Sequence, residues 1–66
     1  MYKISVYEHG QLVGYIHRVF YEKQKVSFTR NISCAKNFET DFEAQSCIDF
    51  AVMCTGTRYM YTYDIL

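Results

Sequence analysis

The sequence has no net charge, no long apolar run and no proline. Seven basic and seven acidic residues balance to a formal charge of zero. This balance argues against nucleic acid as a partner, since nucleic-acid binders use a basic excess to displace counterions from phosphate. No stretch approaches the roughly 20 apolar residues that a membrane helix needs. The first residues show no basic head followed by an apolar run, so we expect no membrane association and no secretory signal.

Cysteines are too few and too irregularly spaced to form a disulfide framework. Their number, three, is odd, so we expect reduced thiols and a cytoplasmic protein. Zinc uses Cys and His ligands, and such residues stand at Cys34, Cys47, Cys54, His9 and His17. They form no C-x-x-C or H-x-x-x-H pair, so we expect neither a metal site nor another cofactor. A nucleophilic pair of Cys34 with His9 or His17 would need a proximity that the spacing does not indicate.

Catalytic motifs are also missing. There is no phosphate-binding loop, no dinucleotide glycine pattern and no paired-carboxylate motif. The 66 residues allow one domain, residues 1–66, with little room for a pocket. We therefore expect a binding protein with no catalytic residues. Because so short a chain has a small core, a homodimer is a further expectation.

Half of the residues are hydrophobic and 18% are aromatic, and their periodicity predicts four strands and one helix. Alternating apolar residues predict strands at Tyr2–Tyr7, Leu12–Val19, Lys25–Arg30 and Arg58–Ile65. Gly10 fits a hairpin turn between the first two strands, and Gly14 indicates a bulge or a close backbone approach.

A capping box predicts where the helix begins. Thr40 and Glu43 have the spacing in which each side chain binds a backbone N–H near the helix start. The helix then runs from Asp41 to about Thr55, and Gly56 stands at the expected C-cap. Its apolar stripe for the core consists of Ala44, Cys47, Ile48, Ala51 and Cys54.

These elements predict an α+β domain of β-β-β-α-β layout. Sequential strands tend to be neighbours, so we expect a four-stranded sheet of order 3-2-1-4, with the fourth strand parallel to the first. One helix covers only one face of such a sheet. The other face meets water or a partner.

Aromatic side chains are the first candidates for partner binding. If Ile4 and Val6 face the helix, alternation puts Tyr7 on the open face. In each of two other strands, further aromatic or histidine side chains share one face. These sets are Tyr15 with His17, and Tyr59 with Tyr61 and Tyr63. A row of tyrosines on an open face suits protein binding, because Tyr supplies a large contact area at low entropic cost. The alternative is that they fill the core.

A second candidate surface is the outer side of the helix. Phe42, Phe50 and Met53 lie away from the core stripe, and monomers rarely expose a contiguous apolar patch. Either the loop 32–38 folds over these residues, or a second chain covers them. We favour a covering partner or a homodimer.

Two segments of the chain resemble short uncharacterised proteins of bacteriophages and prophages with a β-β-β-α-β layout. One is the opening hairpin, residues 2–16; the other reads A-K-N-F-E-T at residues 35–40, followed by the Glu43-Ala44 pair that enters the helix. Small phage proteins of this kind commonly act as stoichiometric binders of host proteins, including inhibitors of CRISPR nucleases and other defence systems. The resemblance implies that context for this chain, and it carries over no functional residue.

The leading hypothesis is a phage-type accessory protein that binds or inhibits a host protein in the host cytoplasm. The alternative is a module that binds single-stranded nucleic acid by stacking bases on strand aromatics. A third hypothesis is the sequestering of a small molecule at an oligomer interface.

Overall fold

The computed structural model describes all 66 residues and has the predicted α+β layout. Its sheet has the order β3-β2-β1-β4, which confirms the predicted order 3-2-1-4. The elements in chain order are β1 (Lys3–Glu8), β2 (Gln11–Phe20), β3 (Lys25–Thr29), a 3₁₀ turn (Ile32–Cys34), α1 (Asp41–Thr55) and β4 (Met60–Asp64).

Glycine shapes the first hairpin in two places. The turn residues His9 and Gly10 have φ values of 53° and 78°, as a two-residue hairpin loop requires at both positions. Gly14 makes the close backbone approach expected from the sequence, since a Cβ there would lie 2.8 Å from the Thr29 carbonyl oxygen.

The prediction that the fourth strand runs parallel to the first was wrong. β4 pairs antiparallel with β1, from Lys3 opposite Asp64 to Tyr7 opposite Met60. The reason is the segment 30–40, which runs back along the sheet after β3. Lys36 N–H donates to the carbonyl of Ile16 at 2.9 Å, and the bridge between Phe38 and Tyr2 brings the chain to the start of β1. The helix then makes a second crossing, so β4 enters from the opposite end.

The helix has the predicted bounds because both of its ends are capped. At the N-terminus, Thr40 Oγ1 accepts a hydrogen bond from the Glu43 N–H at 3.1 Å. At the C-terminus, Gly56 adopts a φ of 66° and its N–H donates to the Val52 carbonyl. At 15 residues, this helix is too short and too polar to cross a membrane.

The core lies between the helix and one face of the sheet. Small residues on α1 let the helix approach the strands closely, and the larger aliphatic side chains come from β1 and β2. The buried cluster consists of Ile4, Val6, Ile16, Phe38, Ala44, Cys47, Ile48 and Ala51. Only 11 of the 66 residues are buried, so the core is small, as expected for a short chain.

Candidate binding surfaces

No other element of regular structure covers the sheet face opposite the helix, except near the start of β1. Lys3, Ser5 and Tyr7 belong to it because they alternate with the core residues Ile4 and Val6, although the small side chain of Ser5 is itself buried. Residues paired across strands share a face, so the register assigns the other members. They are Leu12, Tyr15, Arg18, Phe20, Lys25, Ser27, Thr29, Met60, Thr62 and Asp64. We call this set the open face.

At the hairpin end of the open face, three apolar side chains form a row across adjacent strands. Tyr7 pairs with Leu12 on one side and with Met60 on the other. Leu12 is 50% exposed and Met60 69% exposed. Tyr15 stands on the same face, where it pairs with Ser5. The row of Leu12, Tyr7 and Met60, called the apolar row below, is therefore continuous, with both ends exposed and Tyr7 half-buried between them.

The opposite end of the open face is basic. Lys3, Arg18 and Lys25 stand there, and the only acidic residue of the face is Asp64, which pairs with Lys3. Lys3 Nζ donates to the carbonyl of Ile32 at 2.8 Å, which brings the 3₁₀ turn to the start of β1. This face thus has an apolar end and a basic end.

The formal charge of zero is the sum of a basic first part and an acidic second part of the chain. Residues 1–38 contain six of the seven basic residues and two acidic ones, whereas residues 39–66 contain five acidic residues and one basic one. The first part supplies three of the four strands, and the second supplies the helix. Net charge alone missed this asymmetry; counting charges separately in the two parts would have found it.

His17 stands at an irregular position of β2. Ile16 pairs with Phe28 and Arg18 with Ser27, so His17 has no residue opposite it in β3. Its side chain is half-buried. From the sequence, His17 and Tyr15 were expected to share one face of a regular strand. The bulge at His17 interrupts that alternation.

The tyrosines of β4 lie on the face covered by the helix. Tyr61 pairs with the buried Val6, and Tyr63 pairs with the buried Ile4. Tyr59 and Tyr61 pack against the core cluster. Tyr59 immediately precedes β4 and shares a face with Tyr61 and Tyr63, as expected from the sequence, but the three do not belong to the open face. Alternation gives the shared face, and only the strand register tells which face it is.

The Tyr61 hydroxyl is held by the end of the helix. It lies 2.7 Å from Thr55 Oγ1, and Thr55 itself donates to the Ala51 carbonyl. Since the single Thr55 proton is used in that bond, the Tyr61 hydroxyl donates to Thr55. Burial raises the pKa of Tyr61.

The outer side of the helix carries separate apolar residues. Phe42 is 77% exposed and Met53 is 68% exposed, but they stand about 16 Å apart along the helix axis. Gln45 and Asp49, which hydrogen-bond to each other at 3.0 Å, lie between them. The expected contiguous patch is thus wrong, and the loop 32–38 leaves Phe42 and Met53 uncovered.

Phe50 has a partner that the sequence did not indicate. Its ring lies 4.7 Å from the ring of Tyr21, centroid to centroid. Next to this pair, a shallow groove of about 320 Å³ runs between the start of the helix and the end of β2. Its walls are Tyr21, Lys36, Phe38, Phe42, Glu43 and Ser46. The contact between Tyr21 and Phe50 joins residues far apart in sequence, so no local pattern predicts it.

The cysteines and histidines are dispersed. Cys34 is exposed in the 3₁₀ turn, Cys47 is buried in the core and Cys54 is half-buried, and all three are free thiols. Burial raises the pKa of Cys47 to about 11. No three or more His, Cys, Asp or Glu side chains come together in a way that could hold a metal ion.

Comparison of this chain with protein-family models, with curated proteins and with solved structures finds no match. Its function therefore has to be inferred from its own residues.

Proposed function

We propose that this chain is a binding module that holds another protein against the open face of its sheet. The observation that carries the proposal is the continuous apolar row of Leu12, Tyr7 and Met60, whose two ends are exposed. Apolar and aromatic side chains at the centre of a contact supply most of the binding free energy of protein interfaces. Monomers rarely leave such sets uncovered without a function.

The charges of the open face indicate what the partner looks like. Lys3, Arg18 and Lys25 stand at the end of the open face opposite the apolar row, with one acidic neighbour, Asp64. A partner with an apolar anchor and an acidic flank fits this arrangement, because complementary charges speed association and select the partner. Resemblance to phage proteins supports a host protein as that partner, including a component of a defence system such as a CRISPR nuclease. Binding would then occur in the host cytoplasm and inhibit the bound protein.

Affinity capture from a nuclease-treated bacterial lysate, with mass spectrometry of the bound material, tests this proposal. We expect one protein at near-equal stoichiometry with the wild-type chain. Leu12→Asp places a charge in the apolar row, so the capture should fall at least tenfold. Phe42→Ser removes a still more exposed apolar side chain from the helix and serves as the matched control, with capture unchanged. Loss of capture with Phe42→Ser, and not with Leu12→Asp, would move the site to the helix groove.

Single-stranded nucleic acid is a second candidate, and one observation favours it. The open face combines Tyr7, Tyr15 and Phe20 with the basic Arg18 and Lys25, and single-strand binders combine stacking rings with basic groups in this way. Fluorescence anisotropy with a labelled oligonucleotide at low salt tests it. Binding that weakens with Arg18→Glu and with added salt would support this candidate. Absence of binding to both DNA and RNA would eliminate it.

A further inference from the structure

β4 forms an edge of the sheet that lacks the usual protection. It pairs with β1 through five consecutive residue pairs without a bulge. It contains no lysine or proline, and its one charge is Asp64 at the end. None of the backbone hydrogen bonds outside the regular elements involves residues 60–64. The N–H and C=O groups that point away from β1 are therefore open to another strand.

The other edge of the sheet is different. β3 pairs with a bulged strand, since the register shifts between Ile16 and Arg18. Lys25 begins β3, and Arg30 follows directly after its end. Bulges and flanking basic residues are devices by which natural proteins prevent edge-to-edge pairing. The two edges thus differ in the features that control strand addition.

The sequence of β4 is self-complementary for antiparallel pairing. Residues 61–63 read Tyr-Thr-Tyr, so a two-fold axis through Thr62 sets Tyr61 opposite Tyr63 of a second copy. The same axis sets Thr62 opposite itself and Met60 opposite Asp64, and just beyond the strand ends it sets Tyr59 opposite Ile65. Aromatic pairs, aromatic–aliphatic pairs and Thr–Thr pairs are favourable directly across antiparallel strands. The contact about this axis is isologous, because each residue pair recurs with the two copies exchanged.

Exposed apolar residues lie where this pairing would cover them. Tyr63 is 36% exposed, Ile65 69% and Leu66 52%. A net charge of zero gives two copies little long-range repulsion. The chain has 66 residues, of which 11 are buried. Domains this small commonly gain stability from a second subunit.

We propose that β4 pairs antiparallel with β4 of a second copy and joins the two sheets into one continuous sheet. The axis stands perpendicular to the sheet, so both helices lie on one side and both open faces remain free on the other. This pairing does not depend on the proposed protein partner, because it uses the edge of the sheet and leaves the open face uncovered.

Introducing a charge at the two-fold axis tests the proposal. Thr62 is exposed, so Thr62→Lys and Thr62→Glu leave the core unchanged, but each places two like charges directly opposite in a homodimer. We expect the wild type at about 100 µM to have twice the 7.9 kDa mass of one chain by light scattering. We expect each variant to associate at least about fivefold more weakly, and an equimolar mixture of the two to recover the dimer through Lys–Glu pairs.

A wild type that stays monomeric at this concentration, or a mixture that fails to recover the dimer, would overturn the proposal. Cysteine cross-linking supplies a second test that needs no change of charge. Thr62→Cys should form a disulfide-linked dimer under mild oxidation, because the two Cα atoms at the axis come within disulfide range. Ser27→Cys on β3 is the matched control, and the wild type measures the background from the exposed Cys34. Equal cross-linking of both variants would contradict pairing at β4.

Discussion

Replacing Gly14 by alanine should destabilise the fold through one contact. The new Cβ would lie 2.8 Å from the Thr29 carbonyl oxygen, closer than real Cβ atoms approach backbone, so β3 must shift. Overpacking of this kind costs about 1–3 kcal/mol. Gly→Ala also restricts the unfolded chain, which returns about 0.4–1 kcal/mol where the backbone conformation suits alanine. The steric cost is the larger of the two, so we expect a net loss of about 1–2 kcal/mol in the free energy of unfolding.

Thermal unfolding followed by circular dichroism measures this loss. For a domain of this size, 1 kcal/mol corresponds to roughly 4–8 °C in Tm, so Gly14→Ala should unfold about 4–16 °C below the wild type. Gly10→Asn is the control: Gly10 has open space around it and a φ of 78°, which asparagine tolerates. Its Tm should change little. A Gly14→Ala chain as stable as the wild type, or more so, would refute the close contact between β2 and β3.

Two further predictions concern the helix and the core. Thr40→Ala removes the acceptor for the Glu43 N–H, so the free energy of unfolding should fall by about 1 kcal/mol; chemical denaturation measures it, with Thr57→Ala as an exposed control, and equal losses in both would contradict a capping role. Burial raises the pKa of Cys47 from 9.0 to about 11, so between these values the unfolded chain has lost more protons than the folded one. Stability should therefore be retained below pH 9 and fall as the pH rises towards 11. Cys47→Ala should make this fall shallower, and an unchanged pH profile in that variant would assign the effect to other groups.

Local sequence patterns accounted for the elements of the fold but not for all of their connections. The capping box at Thr40 and the glycine at position 56 place the helix ends, because each satisfies backbone groups within a few residues. The direction of β4 depends on the path of residues 30–40 across the sheet. The hydrogen bond from Lys36 to Ile16 and the bridge between Phe38 and Tyr2 fix that path, and neither has a local signature.

The candidate surfaces were predictable only in part, for the same reason. Alternation with the buried Ile4 and Val6 correctly put Tyr7 on the open face. The apolar row needed the register, because a bulge next to Tyr7 decides that Leu12, and not Val13, stands beside it. A shift of one residue sends a side chain to the opposite face. The strand that contains Met60 was predicted from the sequence, but only its register with β1 shows that Met60 stands opposite Tyr7.

The most direct test of the central claim is the binding of the captured partner to purified wild-type protein and to Leu12→Asp, measured by isothermal titration calorimetry. Phe42→Ser accompanies them as the control, and circular dichroism verifies that each variant is folded. If the open face is the binding site, Leu12→Asp weakens the affinity at least tenfold while Phe42→Ser binds like the wild type. A folded Leu12→Asp variant that binds its partner with wild-type affinity would contradict the claim.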